Sequence, residues 1–150
     1  MSEKVVCTNR KAGFQYELLE RFEAGLVLMG SEVKSLREGQ ANIADAYVTE
    51  HRGEFFLFHV HIAPYPPANR LNHDPLRIRK LLLNHSECDR LLGRMRERGL
   101  TLIPTKIYFK RGLAKCEIAL AKGKKTIDRR EDIKKRMQQR DIERAVRGRG

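Results

Sequence analysis

Residues 22–50 read FEAGLVLMGSEVKSLREGQANIADAYVTE and decide the fold, because they hold two strand-like runs around one short helix. The run Gly25–Met29 is apolar and typical of a strand, and Gly30–Ser31 offers a turn with a helix N-cap. Gly39 stands where a left-handed stop of the helix is expected, and Ala46–Glu50 is the second strand. A helix of two turns is not stable alone. The stretch therefore predicts a small antiparallel barrel plugged by a helix.

Four more runs have strand character, and one has helical character. The helix lies between Asn84 and Gly99, where apolar residues recur at helical spacing. Together with the two runs above, the strands make a barrel of about six; the further four are Phe14–Phe22, Glu54–Ala63, Leu102–Phe109 and Leu113–Leu120.

The run Glu54–Ala63 is interpreted as one continuous strand. Alternation then puts Phe56, Phe58, Val60 and Ile62 on one face and Phe55, Leu57, His59 and His61 on the other. The two histidines share a face, but the sequence offers no third zinc ligand. We therefore predict no metal site.

The chain carries a large excess of basic residues. It has 31 Lys plus Arg against 19 Asp plus Glu, a formal net charge of +12. The last 29 residues hold 12 basic and 5 acidic side chains, a net charge of +7. A polyanion is the expected partner, nucleic acid before a membrane. We therefore divide the chain into a barrel domain, residues 1–121, and a basic tail, residues 122–150.

The tail differs from the barrel in its apolar pattern. The run Glu131–Val146 has good helix formers, but Ile133 and Met137 do not share a face with Ile142 and Val146. Without an apolar stripe, the tail is not expected to dock on the barrel. We expect it to be disordered in the free protein and to become ordered against a polyanion. A mobile, solubilising tail is the alternative.

The N-terminus and the cysteines bear on partners and compartment. Met1–Gly13 is expected to fray; its basic cluster, Asn9 to Lys11, either reaches a phosphate backbone or is solvated. The three cysteines lack the spacing of a disulfide framework or a zinc site. There is no signal-peptide core and no run of about 20 apolar residues. We expect a soluble cytoplasmic monomer.

Three blocks of the sequence resemble the small protein B family, the SsrA-binding proteins of bacterial ribosome rescue. EAGLVLMGSEVKSLREGQANIADAYV is similar to the family block EAGIxLxGTEVKSLRxGKANLxDSYV, and NHDPLRIRKLLL to DPxRxRKLLL. ALAKGKKTIDRRE is similar to GKKxxDKR. The resemblance implies an oligonucleotide-binding-like antiparallel barrel with two or three inserted short helices and a basic C-terminal tail.

The resemblance also implies a function and a set of site residues. Members bind the tRNA-like domain of transfer-messenger RNA and deliver it to stalled ribosomes. Asn9, Glu23 and Leu82 match positions tied to RNA binding, although the pattern does not show which of Leu81, Leu82 and Leu83 faces outward. The remaining RNA-binding residues are Arg10, Lys11, Glu32, Lys34, Arg37, Asn42, His73, Arg77, Arg79 and Lys80.

The tail is implied to enter the empty messenger channel as a helix and to occupy the decoding site. One position departs from the family, because Ile127 stands where His or an aromatic residue is common, so stacking on a base is not available there. The ribosome-binding residues implied are Lys122, Gly123, Lys124, Lys125, Ile127, Asp128, Arg129, Arg130, Lys134 and Arg136.

Two other functions fit parts of the sequence. An RNA-processing enzyme could use His73, Asp74 and Lys80 as acid–base groups, but the chain lacks a carboxylate cluster for metal ions and a nucleophile in a recognisable motif. A general single-stranded RNA-binding barrel would bind oligonucleotides of any sequence. We expect no catalytic residue and no cofactor.

Overall fold

The computed structural model describes residues 4–96, 99–123 and 138–146. Within these ranges no helix is long and apolar enough to cross a lipid bilayer. Residues 138–146 are helical and are called the C-terminal helix below. The other elements are β1 Lys4–Thr8, α1 Ala12–Gln15, β2 Tyr16–Leu26, α2 Gly30–Arg37, β3 Ala41–Asn42, β4 Tyr47–His51, β5 Glu54–Phe58, β6 His61–Ile62, a 3₁₀ turn Pro66–Leu71, β7 Arg79–Leu82, α3 His85–Arg94, β8 Leu100–Lys110 and β9 Leu113–Gly123.

Six antiparallel strands close into a barrel. Their order is β8-β4-β5-β7-β2-β9, and pairing of β8 with β9 completes the ring. β1 adds to the outside of the ring by pairing with β8. Closure leaves no open edge in the ring, so each backbone polar group there has a neighbouring strand to bond. The structure confirms the mainly β fold, with an antiparallel barrel of about six strands and inserted short helices.

The number of strands in the ring matches the prediction, but the strands themselves differ. Most of the predicted run Phe14–Phe22 and the start of the run Gly25–Met29 lie in one strand, β2, which ends at Leu26. β7 takes the sixth place, although its sequence, RKLL, lies in a segment for which no strand was predicted. β7 is short and carries two cations, which hides the strand pattern.

The N-terminus is ordered rather than frayed in the described residues. Lys4–Thr8 forms β1, with Lys4 opposite Phe109 and Thr8 opposite Lys106. The β-branched pair Val5–Val6 favours a strand. Fraying was predicted from chain position and polarity, and the pairing with β8 outweighs both.

β5 ends earlier than predicted, because the chain reverses its alternation at His59. His59 has φ = 59°, in the left-handed region, which turns the following residues over. As a result Val60 and Ile62 lie in the barrel core together with Phe55 and Leu57. Phe56 and Phe58 lie outside it in a separate cluster. His59 and His61 are exposed.

Helix α2 closes the barrel much as the sequence predicts. Leu36 is 1% exposed and belongs to the core, and Gly39 has φ = 74° just past the helix end. The start differs, because Met29 holds the N-cap position and its N–H donates to Glu32 Oε1 at 2.8 Å. The Ser31 hydroxyl bonds His73 instead.

The C-terminal helix packs on the outside of the barrel. Ile142 is fully buried against Phe56 and Phe58, and Thr49 Oγ1 donates to Gln138 Oε1 at 3.1 Å. The expectation that no apolar face of this segment would dock is wrong at Ile142. The tail needs no long apolar stripe to dock, because the outer face of β5 supplies most of the apolar surface of this contact.

The three cysteines are free thiols. Burial raises the pKa of Cys7 to about 11 and raises that of Cys116 further. Both thiols therefore stay protonated near neutral pH, which makes them weak nucleophiles.

Candidate nucleic-acid interface

Glu23 lies on the outside of the barrel at the centre of a polar cluster. Tyr108 Oη donates to Glu23 Oε2 at 2.6 Å, and Lys110 Nζ lies 3.3 Å from the same oxygen. The Tyr108 hydrogen bond and the nearby Lys110 and Lys115 charges lower the pKa of Glu23 against a smaller effect of burial. The carboxylate is therefore ionised at neutral pH and can accept hydrogen bonds from hydroxyl or amino groups of a ligand.

An exposed leucine lies beside this cluster. Gly25 of β2 is opposite Lys115 on one side and Leu82 on the other. Leu82 is 52% exposed, whereas Leu81 is 3% exposed and belongs to the core. Leu82 is thus the most exposed of the three leucines. The outer residues of this region, called the Glu23 surface below, are Glu23, Leu82, Lys106, Lys110 and Lys115. Tyr108, which hydrogen-bonds Glu23, is itself only 3% exposed.

Asn9 fixes a basic loop near one end of the Glu23 surface. Its N–H donates to Thr105 O at 2.7 Å and its Nδ2 donates to Pro104 O at 3.2 Å. Its buried Oδ1 accepts no hydrogen bond from the residues that the structure describes. Arg10 and Lys11 follow and are exposed, one step beyond the pairing of Thr8 with Lys106. The loop therefore adds two cations to the same side of β8.

Three residues of the predicted RNA-binding set are buried. Glu32 and Arg79 are both 0% exposed, and Glu32 Oε2 lies 2.5 Å from Arg79 Nε. Arg77 Nη2 lies 2.5 Å from Glu32 Oε1 and also donates to Val27 O. His73 is 5% exposed, and Nε2 donates to Ile62 O, which leaves Nδ1 to accept from Ser31. Burial blocks direct contact of Glu32, Arg79 and His73 with RNA, unlike the sequence expectation. Glu32 and Arg79 instead hold α2 against β7, and His73 links α2 to β6.

The Glu32 carboxyl is charged despite its burial. Burial alone would raise its pKa, but hydrogen bonds from Arg77 and the Met29 N–H, with the charges of Arg79 and Arg77, outweigh that effect and lower it. The ion pairs are thus part of the folded structure.

The remaining predicted RNA-binding residues are accessible but spread over the barrel. Lys34 and Arg37 are exposed on α2, where Lys34 Nζ lies 5.7 Å from the centre of the Tyr65 ring. Asn42 is exposed and its Oδ1 accepts from the Ala44 N–H at 2.8 Å. Lys80 is half-buried and lies 3.4 Å from Glu54.

Two of the predicted tail residues lie in the barrel. Lys122 and Gly123 form the end of β9, where they pair with Glu17 and Tyr16 of β2. The others lie outside the described residues: Lys124, Lys125, Ile127, Asp128, Arg129, Arg130, Lys134 and Arg136.

Tyr108, which hydrogen-bonds Glu23, is not among the residues predicted for the site. Lys106, Tyr108 and Lys110 alternate along β8, and Lys106 Nζ lies 5.0 Å from the centre of the Tyr108 ring. Period-two spacing alone places this aromatic residue between two cations on one face. That signal was available in the sequence. The bond to Glu23 was not, because the two residues are 85 positions apart.

The geometry does not assemble an acid–base site from His73, Asp74 and Lys80. His73 is held by Ser31 and Ile62, and Asp74 Oδ1 accepts from the Leu76 N–H at 2.9 Å. Lys80 is paired with Glu54. Among the described residues, no group of three or more His, Cys, Asp or Glu side chains could hold a metal ion.

Comparison with known proteins gives concordant matches over nearly the whole chain. The family model described as SmpB protein matches residues 6–148. An SsrA-binding protein of Desulforudis audaxviator is 56% identical over 146 residues, covering 97% of this chain and 95% of that protein. One from Geobacter metallireducens is 53% identical over 149 residues, covering 99% and 97%.

A solved structure also matches. It is described as "tmRNA-SmpB: a journey to the center of the bacterial ribosome", and one of its chains superposes with a TM-score of 0.66 at 47% identity. The match covers 82% of this chain and 87% of that one. With the family model spanning residues 6–148, these matches establish that the chain belongs to the SmpB protein family.

Proposed function

We propose that this protein is an RNA-binding factor of bacterial trans-translation, which binds the tRNA-like domain of transfer-messenger RNA and delivers it to stalled ribosomes. The family match over residues 6–148 carries this proposal. It is supported by relatives named SsrA-binding protein and by a similar chain in a structure of transfer-messenger RNA and SmpB described with the bacterial ribosome.

The Glu23 surface is the proposed RNA contact. Its lysines, with Arg10 and Lys11, can bond phosphates, and the Glu23 carboxylate can accept from a 2′-hydroxyl or a base amino group. Leu82 offers an apolar contact for an unstacked base or a ribose. Structured RNA is recognised by shape and exposed loops, so this mixture of groups suits a tRNA-like fold.

The division of labour between body and tail is part of the proposal. The barrel, whose last strand ends at Gly123, binds the RNA, and residues 124–150 occupy the empty decoding site and messenger channel as a helix. These residues carry 11 basic and 5 acidic side chains, a net charge of +6, which suits a channel of ribosomal RNA. We also propose that the protein acts in the cytoplasm as a monomer. No cofactor is required, since binding alone performs this role.

A competition experiment tests the function. Labelled tRNA-like domain is bound to the full chain and displaced by unlabelled tRNA-like domain or by an unrelated hairpin of equal length. We expect the hairpin to compete at least about tenfold less well, because it offers the same phosphate contacts but not the shape and exposed loops that Glu23 and Leu82 are proposed to contact. Equal competition would favour a general single-stranded RNA-binding barrel. New cleavage products of the labelled RNA would favour an enzyme.

A further inference from the structure

The outer faces of β4 and β5 carry a cluster of apolar side chains that is separate from the barrel core. Phe56 and Phe58 are 5% and 4% exposed. Tyr47 stacks on Phe58 with ring centroids 5.4 Å apart, and Ile78 packs against the same cluster. We call these four residues the outer aromatic patch. Phe55 and Leu57, which alternate with Phe56 and Phe58 along β5, belong to the barrel core instead.

The C-terminal helix covers this patch with few contacts. Ile142 is its one buried apolar residue in the described part, and Val146 on the same helix is 50% exposed. Gln138 is hydrogen-bonded to Thr49 and to Tyr47, and Glu143 Oε1 lies 3.9 Å from His51 Nε2 and 4.0 Å from Arg52 Nη2. These distances are at the limit of ion pairing, and Arg52 is mostly exposed, so the charges add little.

The cations of this helix stay accessible while it is docked. Arg140 and Arg144 are exposed, whereas Glu143 is turned towards the barrel. A polyanion can therefore attract the docked helix without first breaking its contacts with the barrel.

We propose that the outer aromatic patch is the resting site of the C-terminal helix, and that ribosomal RNA competes with the patch for this helix. The proposal rests on the proposed function, in which the same segment enters the messenger channel. One segment cannot occupy both places, so the helix leaves the patch before the tail is used. A small number of docking contacts makes this release reversible and allows a competing ligand to shift the equilibrium.

The docked state can be observed by fluorescence, because the chain has no tryptophan. Tyr47→Trp places a single reporter in the patch and removes the Tyr47–Gln138 hydrogen bond equally from every variant that carries it, and Ile142→Glu is added to release the helix. Val146→Glu is the matched control, since it makes the same charge change at an exposed position of the same helix. We expect a red shift of the emission and about twofold stronger acrylamide quenching with Ile142→Glu only. The same emission for both double variants would overturn docking.

The competition is tested from the barrel side, so that the sequence of the tail is unchanged. Phe56→Ser weakens the patch outside the barrel core, and Thr49→Ala is a milder second variant that removes only the hydrogen bond to Gln138. We expect both, as labelled full-length chains, to associate with ribosomes stalled with an empty decoding site faster than wild type. The increase is at least about threefold for Phe56→Ser. Binding of the isolated tRNA-like domain stays unchanged, which also shows that the barrel is folded.

Two outcomes would contradict the competition in different ways. If the Tyr47→Trp reporter shows release in Phe56→Ser but ribosome association is no faster, the docked state has no part in ribosome binding and the proposal is overturned. If the wild-type chain does not associate with stalled ribosomes at all, the proposed function fails and the competition fails with it. The emission measurement would then still report docking in the free protein.

Discussion

Glu32 is the residue on which the position of α2 depends. Its carboxylate joins the N-terminus of α2 to Arg77 and to Arg79 of β7, and all of these contacts are at least partly buried. Removing one member of such a network leaves buried charges without a partner, which costs more than the intact network contributes. A sequence motif that resembles an RNA-binding block therefore contains residues whose contacts lie inside the protein.

We expect Glu32→Gln to destabilise the protein by about 3–5 kcal/mol, because Arg77 and Arg79 lose their countercharge. Urea unfolding measures this. Glu54→Gln is the matched control, because the Lys80–Glu54 pair is largely exposed and its loss costs about 1 kcal/mol or less. Equal losses of unfolding free energy for the two variants would show that burial does not increase the cost of removing a countercharge.

The network also predicts a pH dependence. Because the pKa of Glu32 is lowered from 4.5 in the folded protein, its contribution to stability is complete above that ordinary value. It is lost as the pH falls through the folded-state pKa. We expect the difference in unfolding free energy between wild type and Glu32→Gln to shrink below pH 4.5 in urea titrations at a series of pH values. A difference that stays constant into strong acid would contradict this assignment.

Leu82 gives a prediction about RNA binding rather than stability. Leu82→Ala removes an exposed apolar group next to Glu23, so we expect about tenfold weaker binding of the tRNA-like domain, equivalent to about 1.4 kcal/mol. The melting temperature should hardly change. Leu113→Ala is the control, because Leu113 is 62% exposed at the β8–β9 turn. Loss of affinity in both variants would point to a non-specific effect of surface apolar area.

At the scale of elements, the sequence predicts the barrel class and the hairpins but not the faces. The turns at Gly53 and Gly112 have the positive φ that hairpins need, and glycine marks both in the sequence. The reversal at His59 has no glycine to mark it, and histidine, although enriched in the left-handed region relative to most side chains, does not specify a reversal by itself. Unbroken alternation therefore predicts Phe56 and Val60 on the same face, whereas the structure places Val60 in the barrel core and Phe56 outside it.

The left-handed conformation at His59 can be tested by substitution. We expect His59→Val to destabilise the protein by about 1–2 kcal/mol, because a β-branched side chain is strained at φ = 59°. His59→Gly should not destabilise by this mechanism. His61→Val is the control, since His61 is exposed in β6 and is not among the residues with positive φ. Similar costs at both positions would exclude backbone strain as the cause.

The docking of the C-terminal helix depends on contacts that the sequence of the tail does not indicate. The docking contacts are few: they are the burial of Ile142 and the hydrogen bonds that join Gln138 to Thr49 and Tyr47. The tail sequence alone does not indicate that Ile142 has a partner. Phe56 and Phe58, which receive it, lie more than 80 residues away in the sequence.

At the scale of the whole molecule, the sequence predicts the Glu23 surface in part. Glu23, Leu82, Arg10 and Lys11 were expected and are accessible or partly so. Their assembly depends on pairing of β2 with β7 and β9, which no local pattern specifies. The same motifs also supplied buried residues, because a block of sequence can fit a family for structural as well as for binding reasons.

We expect deletion of residues 124–150 to leave binding of the isolated tRNA-like domain within about twofold of wild type while abolishing peptide tagging on stalled ribosomes. The deletion begins after Gly123, so β9 and its pairing with β2 stay complete. Binding is measured by fluorescence anisotropy and tagging in a reconstituted translation reaction. Loss of both activities together would refute the division between body and tail.

Strand β9 runs without a break from the Glu23 surface to the start of the tail. Lys115, beside Leu82, and Gly123, the last residue before the tail, lie on this one hydrogen-bonded strand. At about 3.3 Å per residue, they are separated by roughly 26 Å. The distance from the bound RNA to the origin of the tail is therefore set by sheet geometry rather than by a flexible linker. An RNA held at one end of the barrel would fix where the messenger-channel segment starts at the other.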